Sequence, residues 1–248
     1  SWRSSPKRVR FPNRPLANKL YAATYFIISR RINGIIAQTQ EAKEMFSKKY
    51  NCPIEVIPNN LRPINEYPIN LKEKTIITMG RCVFEKGYHY LLEAFSKLEN
   101  NEWELIILGD GPLRGKLEDQ AKTLNIYDRT IFLGFKKDVD FYLSKSSIFA
   151  FTSVIEGYPN ALIEAMANGL APVSFDCSAG PSDIIKEGQN GFLVEVADVE
   201  TLALRLNRLI NDENLRKTIQ RNALKVKSKN NLDSVGEMYV NFLSRDKT

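Results

Sequence analysis

A chain of 248 residues, 43% hydrophobic and 26% charged, has an ordinary globular composition and is long enough for one large or two small cores. No stretch approaches the roughly 20 apolar residues of a membrane span, and three cysteines (Cys52, Cys82, Cys177) without Cys-x-x-Cys spacing argue for a reducing, cytoplasmic setting rather than a disulfide scaffold. One histidine, His89, leaves almost no raw material for a metal site or a Ser-His-Asp triad.

Residues 1–31 carry eight basic side chains (Arg3, Lys7, Arg8, Arg10, Arg14, Lys19, Arg30, Arg31) and no acid, so the rest of a chain whose total is +6 stands at −2. A basic segment with interleaved aromatics suits anionic lipid headgroups, which would make the protein peripheral on a membrane surface; a solvated loop is the alternative reading. Apolar runs then predict strands at Gly34–Gln38, Glu55–Ile57, Thr75–Met79, Glu104–Leu108, Thr130–Leu133, Ile148–Phe151, Pro172–Phe175 and Phe192–Val194. Between them lie patterns of helical period, such as Tyr90-Leu91-Ala94-Phe95-Leu98 and Leu113-Leu117-Ala121-Leu124. Strand–helix alternation with short loops predicts an α/β fold, a Rossmann-like parallel sheet with helices on both faces. Two prolines make Ile57-Pro58-Asn59-Asn60-Leu61-Arg62-Pro63 a hinge. Beyond Leu202 the chain reads as helical and basic, closing on the apolar stripe Val235-Tyr239-Phe242-Leu243.

The most informative stretch is 152–169. The strand ending at Phe151 runs into a turn, Gly157-Tyr158-Pro159-Asn160, and then a run of good helix formers, Ala161 to Ala167, that stops at Asn168-Gly169. Glu156 lies in the turn and Glu164 on the helix. A helix N-terminus offers free N–H groups and partial positive charge to a phosphate, whereas carboxylates accept from sugar and ribose hydroxyls. Both kinds of group in one place suit a nucleotide-sugar. The amides of Gly157, Tyr158, Asn160 and Ala161 form the expected phosphate cradle, with Leu162 beside them; Pro159 has no N–H to give. Earlier in the chain, Gly80-Arg81 ends one strand and Lys86-Gly87 opens the next helix. Two cations at such a junction can neutralise a diphosphate without a metal, Arg81 through its fork and Lys86 as a point charge.

Each of these residues has a plainer reading: surface cations at a loop, an exposed helical glutamate, an acid favouring a helix start. Asp138-Val139-Asp140 has the spacing of a metal clamp, but it opens the predicted helix Val139–Lys145, where Asp138 serves as N-cap. Gly109-x-Gly111 lacks the third glycine of a dinucleotide fingerprint, that position being Arg114. His89 is expected to pack or be solvated between Tyr88 and Tyr90.

Glu156-Gly-Tyr-Pro-Asn-Ala-Leu-Ile-Glu164 resembles the Glu-x7-Glu motif of the retaining glycosyltransferases of family 4, which have the GT-B fold. Gly80-Arg81 with Glu85-Lys86-Gly87, Gly109-Asp110-Gly111-Pro112 and Gly188-Gln-Asn-Gly191-Phe-Leu-Val194 match further family elements in the family's order, from about residue 33 onward. The resemblance implies transfer of a sugar from a nucleoside-diphosphate donor with retention, to a glycan or lipid-linked glycan acceptor such as lipopolysaccharide or capsule. It makes Arg81 and Lys86 (beside Gly80) stabilisers of the leaving diphosphate, Glu156 the contact to the donor sugar or its anomeric charge, and Glu164 the ribose acceptor. Gly134 and Phe135 would lie along the nucleobase. No cofactor, metal or nucleic acid is implied. Residues 1–60 would be the last portion of an acceptor-binding lobe plus hinge, 61–231 the nucleotide-sugar lobe, and 232–248 a helix crossing back to the first lobe. The family's catalytic histidine would belong to the missing lobe, so the 248 residues alone are expected to be inactive. Two alternatives remain: a non-catalytic nucleotide-sugar-binding module, in which Arg81, Lys86 and Glu164 would survive, and an epimerase on the same fold, which would keep a complete first lobe with its own acids or histidine. The Tyr158-Pro159-Asn160 turn departs from the commoner Phe-Gly pattern, which leaves sugar recognition open.

Overall fold

The computed structural model describes residues 32–68, 73–178 and 180–245; the basic segment 1–31 lies outside them. Two parallel sheets are present. The smaller pairs β1 (Ile35–Ala37) with β2 (Ile54–Val56), joined through α1 (Gln40–Ser47). The larger contains β3 (Thr75–Met79), β4 (Glu104–Leu108), β5 (Thr130–Gly134), β6 (Ile148–Phe151), β7 (Ala171–Phe175) and β8 (Phe192–Val194), in the order β5-β4-β3-β6-β7-β8. Every neighbouring pair is parallel, and each crossover carries a helix: α2 (Tyr88–Ser96), α3 (Arg114–Thr123), α4 (Val139–Ser144), α5 (Asn160–Ala167) and α6 (Pro181–Ile184). Four further helices follow: α7 (Val199–Asn211), α8 (Glu213–Ala223), α9 (Val226–Lys229) and α10 (Leu232–Ser244).

The period-two geometry of strands divides the core in two. Ile76, Leu105, Ile107, Ile148, Val173 and Phe175 pack on one face with Leu91 and Phe95 of α2 and Leu206 of α7. Ile77, Phe149 and Phe151 face the other way, onto Leu162 and Met166 of α5. Burial on both faces explains why these strands read as continuous apolar runs.

The sheet grows outward from β3 in both directions, so the chain leaves β3 toward one side and β6 toward the other. In an open parallel sheet the carboxyl ends at such a reversal leave a crevice where ligands bind. The loop after β3 is fixed to its neighbour by main-chain bonds: Gly80 N–H to Leu108 O (3.0 Å), Cys82 N–H to Asp110 O (2.9 Å) and Leu113 N–H to Cys82 O (3.0 Å). A Cβ on Gly109 would sit 1.9 Å from the Gly80 carbonyl oxygen, so only glycine allows that approach. Gly109 thus serves backbone docking, and Arg114 binds Glu118 (2.8 Å) and the Phe132 carbonyl (3.1 Å).

Residues 57–68 form no regular element, in keeping with Pro58, Pro63 and Pro68. They are nonetheless tied down: Leu61 N–H donates to Asn230 O (2.7 Å), and the Asn230 amide donates to Asn59 O (3.0 Å) and to the Tyr158 hydroxyl (3.3 Å). The end of α10 lies against the small sheet. Arg245 pairs with Glu55 at 2.9 Å, and a Cβ on Gly34 would lie 2.8 Å from the Phe242 ring. Among the described residues no helix is long and apolar enough to cross a membrane.

Candidate functional site

The loops after β3 and β6 meet at the reversal. Gly87, at φ +61°, closes the 3-10 turn Phe84–Lys86, and a Cβ there would strike the Thr152 carbonyl oxygen at 2.1 Å. Thr152 donates its hydroxyl to Lys86 O (3.0 Å), and Val154 N–H donates to Glu85 O (2.9 Å). This docking brings Lys86 onto Glu156: the ammonium donates to the carboxylate, and both side chains are largely buried. The same Nζ lies 5.9 Å from the centre of the Phe151 ring. Arg81 is exposed, with no side-chain partner among the described residues.

Beyond Glu156 the N–H groups of Gly157, Tyr158 and Ala161 have no acceptor among the described residues. Three donors therefore stand at the start of α5, where the helix dipole adds to their charge. Two sequence expectations need correction. The Asn160 amide turns back to Tyr158 O (2.9 Å), closing a tight turn, while its side chain accepts from Asn59 (3.0 Å). Leu162 is fully buried in the core and its amide is spent on Pro159 O (3.0 Å), so it offers nothing to a ligand. Tyr158 also points inward, its ring 8% exposed and its hydroxyl on Asn230, so only its main chain remains for the site.

Glu164 follows one turn into α5. Its Oε2 accepts from Arg62 Nε at 2.9 Å, and its Oε1 has no partner among the described residues. Burial raises the carboxyl above the usual glutamate range, with Arg62 opposing that shift. Arg62 carries no sign of its role in the local sequence. It spans Glu164 and Asp140, binding both Asp140 oxygens at 2.8 Å. Asp140 is 1% exposed and also accepts from Asn65 N–H (2.9 Å) and the Asn168 amide (3.2 Å). Burial would raise its pKa, but Arg62, Asn65 and Asn168 together hold it below the ordinary aspartate value. Asp138 caps α4, accepting from Phe141 N–H at 3.4 Å. The Asp-x-Asp pair is therefore split between a cap and a buried ion pair. Across the sheet Gly134, at φ +69°, ends β5 and leaves Phe135 75% exposed. His89 packs between Phe84 and Tyr90, with ring centroids at 5.2 and 3.9 Å, and burial lowers its pKa.

A six-stranded parallel sheet of Rossmann-like order thus gathers cations, free amides and carboxylates at its reversal, groups chemically suited to an anion and to hydroxyls. Residues 62–226 match the model of the glycosyl transferases group 1 family. An uncharacterized glycosyltransferase of Haemophilus influenzae is 37% identical over 186 residues, 73% of this chain and 52% of the relative. A Campylobacter jejuni protein is 34% identical over 155 residues, 62% of this chain and 42% of its own length; its name is N-acetylgalactosamine-N,N'-diacetylbacillosaminyl-diphospho-undecaprenol 4-alpha-N-acetylgalactosaminyltransferase. Among solved structures, Anabaena Alr3699/HepE in complex with UDP superposes with a TM-score of 0.79 at 22% identity, over 95% of this chain and 70% of that one. The chain belongs to the group 1 glycosyltransferase family, and its sheet is the Rossmann-like sheet of GT-B architecture. It spans about half the length of the curated relatives it matches.

Proposed function

We propose that this chain supplies the nucleotide-sugar lobe of a glycosyltransferase that moves a sugar, with retention, from a nucleoside diphosphate to a glycan or lipid-linked glycan. One observation carries the reading: Lys86 from the β3 loop and Glu156 from the β6 loop meet at the sheet reversal, beside unpaired amides at the start of α5. A diphosphate fits the cation and amide side of that arrangement. Arg81 and Lys86 then stabilise charge developing on the leaving group, a task usually done by preorganised donors or a metal. Glu156 faces the donor sugar and offsets positive charge at its anomeric carbon. Glu164 Oε1 accepts from ribose, and the exposed Phe135 ring stacks on the base.

Retention follows from a front-face departure, in which the acceptor attacks on the side the diphosphate leaves, so a strong base is not required of this lobe. Reaction also requires an acceptor held in attacking geometry, a contribution of roughly 7–11 kcal/mol to the barrier. We assign that task to a first lobe of which β1, α1 and β2 are one unit, with residues 57–63 as hinge and α10 crossing back to it; on this assignment the 248 residues bind donor but transfer nothing alone. The name of the Campylobacter relative supports a lipid-linked acceptor, and a membrane-facing role for residues 1–31 belongs to the same proposal.

The test is calorimetry of the protein with UDP, GDP and ADP, followed by transfer assays on the corresponding nucleotide-sugars with undecaprenyl-linked glycans, using the chain joined to its upstream lobe. Binding weakened by Lys86→Ala, and turnover by the longer protein, are the expected results. Binding without turnover in the longer protein would make this a sugar-nucleotide-binding module, and no binding at all would sink the reading.

A further inference from the structure

The group with no assigned role is Arg62, an ion-paired arginine in the connection between the two sheets. Three of its nitrogens are committed in one plane: Nη1 and Nη2 to the two oxygens of Asp140 at 2.8 Å, and Nε to Glu164 Oε2 at 2.9 Å. Nη1 also donates to Pro63 O (3.0 Å), which ties the guanidinium to its own backbone. Asp140 cannot move easily, because Asn65 N–H and Asn168 hold the same carboxylate and it is shut from solvent. The fork geometry of arginine fixes direction as well as charge. A carboxylate gripped at one oxygen by a fixed donor keeps one rotamer and presents its other oxygen in one direction. It also stays ionised where burial alone would favour the neutral acid, which accepts hydrogen bonds less well.

We infer that Arg62 is a positioning residue for nucleotide recognition: anchored on buried Asp140, it holds Glu164 Oε2 and so sets Glu164 Oε1 as the acceptor for the ribose hydroxyls. This rests on the ribose role given to Glu164 above. It also means that the connecting segment, outside the Glu-x7-Glu stretch, takes part in reading the nucleoside.

The readout is preference for ribose, not affinity alone. Dissociation constants are measured for UDP, GDP and ADP, and for the 2′,3′-dideoxy form of whichever binds tightest, with thermal midpoints checking the fold. Wild type should prefer the ribose form, and Glu164→Gln should lose that preference by about tenfold, the scale of one charge-assisted hydrogen bond. Arg62→Lys keeps a cation for Asp140 but cannot make both contacts; it should lose a similar factor while its affinity for the dideoxy nucleotide stays unchanged. Should Arg62→Lys fold poorly, the double variant Arg62→Gln/Asp140→Asn, which removes both charges together, is read the same way. Equal weakening of both nucleotides, or an unchanged preference, overturns the role of Arg62 and leaves the nucleotide site standing. A wild type that binds neither nucleotide overturns the site and the inference with it.

Discussion

Lys86 and Glu156, seventy residues apart in sequence, form an ion pair at the point where the sheet reverses. The cation proposed for the diphosphate is thus held by the carboxylate proposed for the sugar. Part of any incoming phosphate's attraction must first displace that pairing. Lys86→Ala and Arg81→Ala should each weaken UDP binding by about 1.5–3 kcal/mol, the range for hydrogen bonds to charged groups. Glu156→Gln should leave UDP affinity equal or higher, because it frees the ammonium, while abolishing transfer in the enzyme with its acceptor lobe. Calorimetry on the three variants checks this; a Glu156→Gln protein that binds UDP tenfold more weakly would contradict it.

Nucleotide binding is expected to be independent of divalent metal. Both Asp140 oxygens are occupied by Arg62 and Asp138 is engaged as a cap, while Arg81, Lys86 and the amides of Gly157, Tyr158 and Ala161 supply positive potential. Titration of UDP in excess chelator should match titration in magnesium or manganese. Binding that vanishes with chelator and returns with metal would refute the arrangement proposed for the diphosphate.

The ribose contribution should depend on pH. Burial raises the Glu164 carboxyl, Arg62 opposing, so its ionised form is complete well above that raised value and is lost as pH falls through it. Asp140, held below its usual value, stays ionised over the same window. The ratio of UDP to dideoxy-UDP affinity cancels the phosphate ionisation common to both. That ratio should begin to fall at a pH above the ordinary glutamate midpoint of about 4.3. A ratio flat from pH 7 to pH 4 would exclude Glu164 from ribose binding.

Arg216 governs stability far from the site. Its guanidinium is 6% exposed, caps the end of α7 through the Leu209 and Ile210 carbonyls (2.5 and 3.2 Å), and lies 5.2 Å from the Trp103 ring. Burial lowers its pKa, so the charge costs something to hold. Against that, removing it strands two buried carbonyls at a helix C-terminus. We expect Arg216→Met to destabilise by about 1–3 kcal/mol, measured as a shift of the urea midpoint with unchanged slope. A neutral or stabilising result would mean that the desolvation cost dominates.

Much of the large sheet is legible in the sequence. Thr75–Met79, Glu104–Leu108, Ile148–Phe151 and Phe192–Val194 coincide residue for residue with largely apolar runs, because strands covered on both faces admit few polar residues, here Thr75, Thr78 and the terminal Glu104. The α4 cap was visible for a similar reason: Asp138 acts on an amide three residues away. Arg62 was not legible. Its partners lie 78 and 102 residues further along, and an arginine between prolines has no local sign of what it will meet. The roles of Tyr158 and Asn160 were hidden by the same effect. Whether a turn residue points outward depends on what stands behind it, here Asn230 and Asn59.

The loops around the crevice are joined by main-chain bonds: Cys82 to Asp110, Leu113 to Cys82, Val154 to Glu85. Apart from glycines such as Gly87 and Gly109, where a Cβ would strike a facing carbonyl, such a lattice makes no demand on side-chain identity. Exposed positions rising from it, Phe84, Phe135 and Ile155, can therefore be exchanged without altering the shape of the loops that carry them. A family built on this frame can diversify what it recognises while leaving its scaffold untouched, and a substitution library at those three positions should shift nucleotide and sugar selectivity well before it lowers the melting temperature.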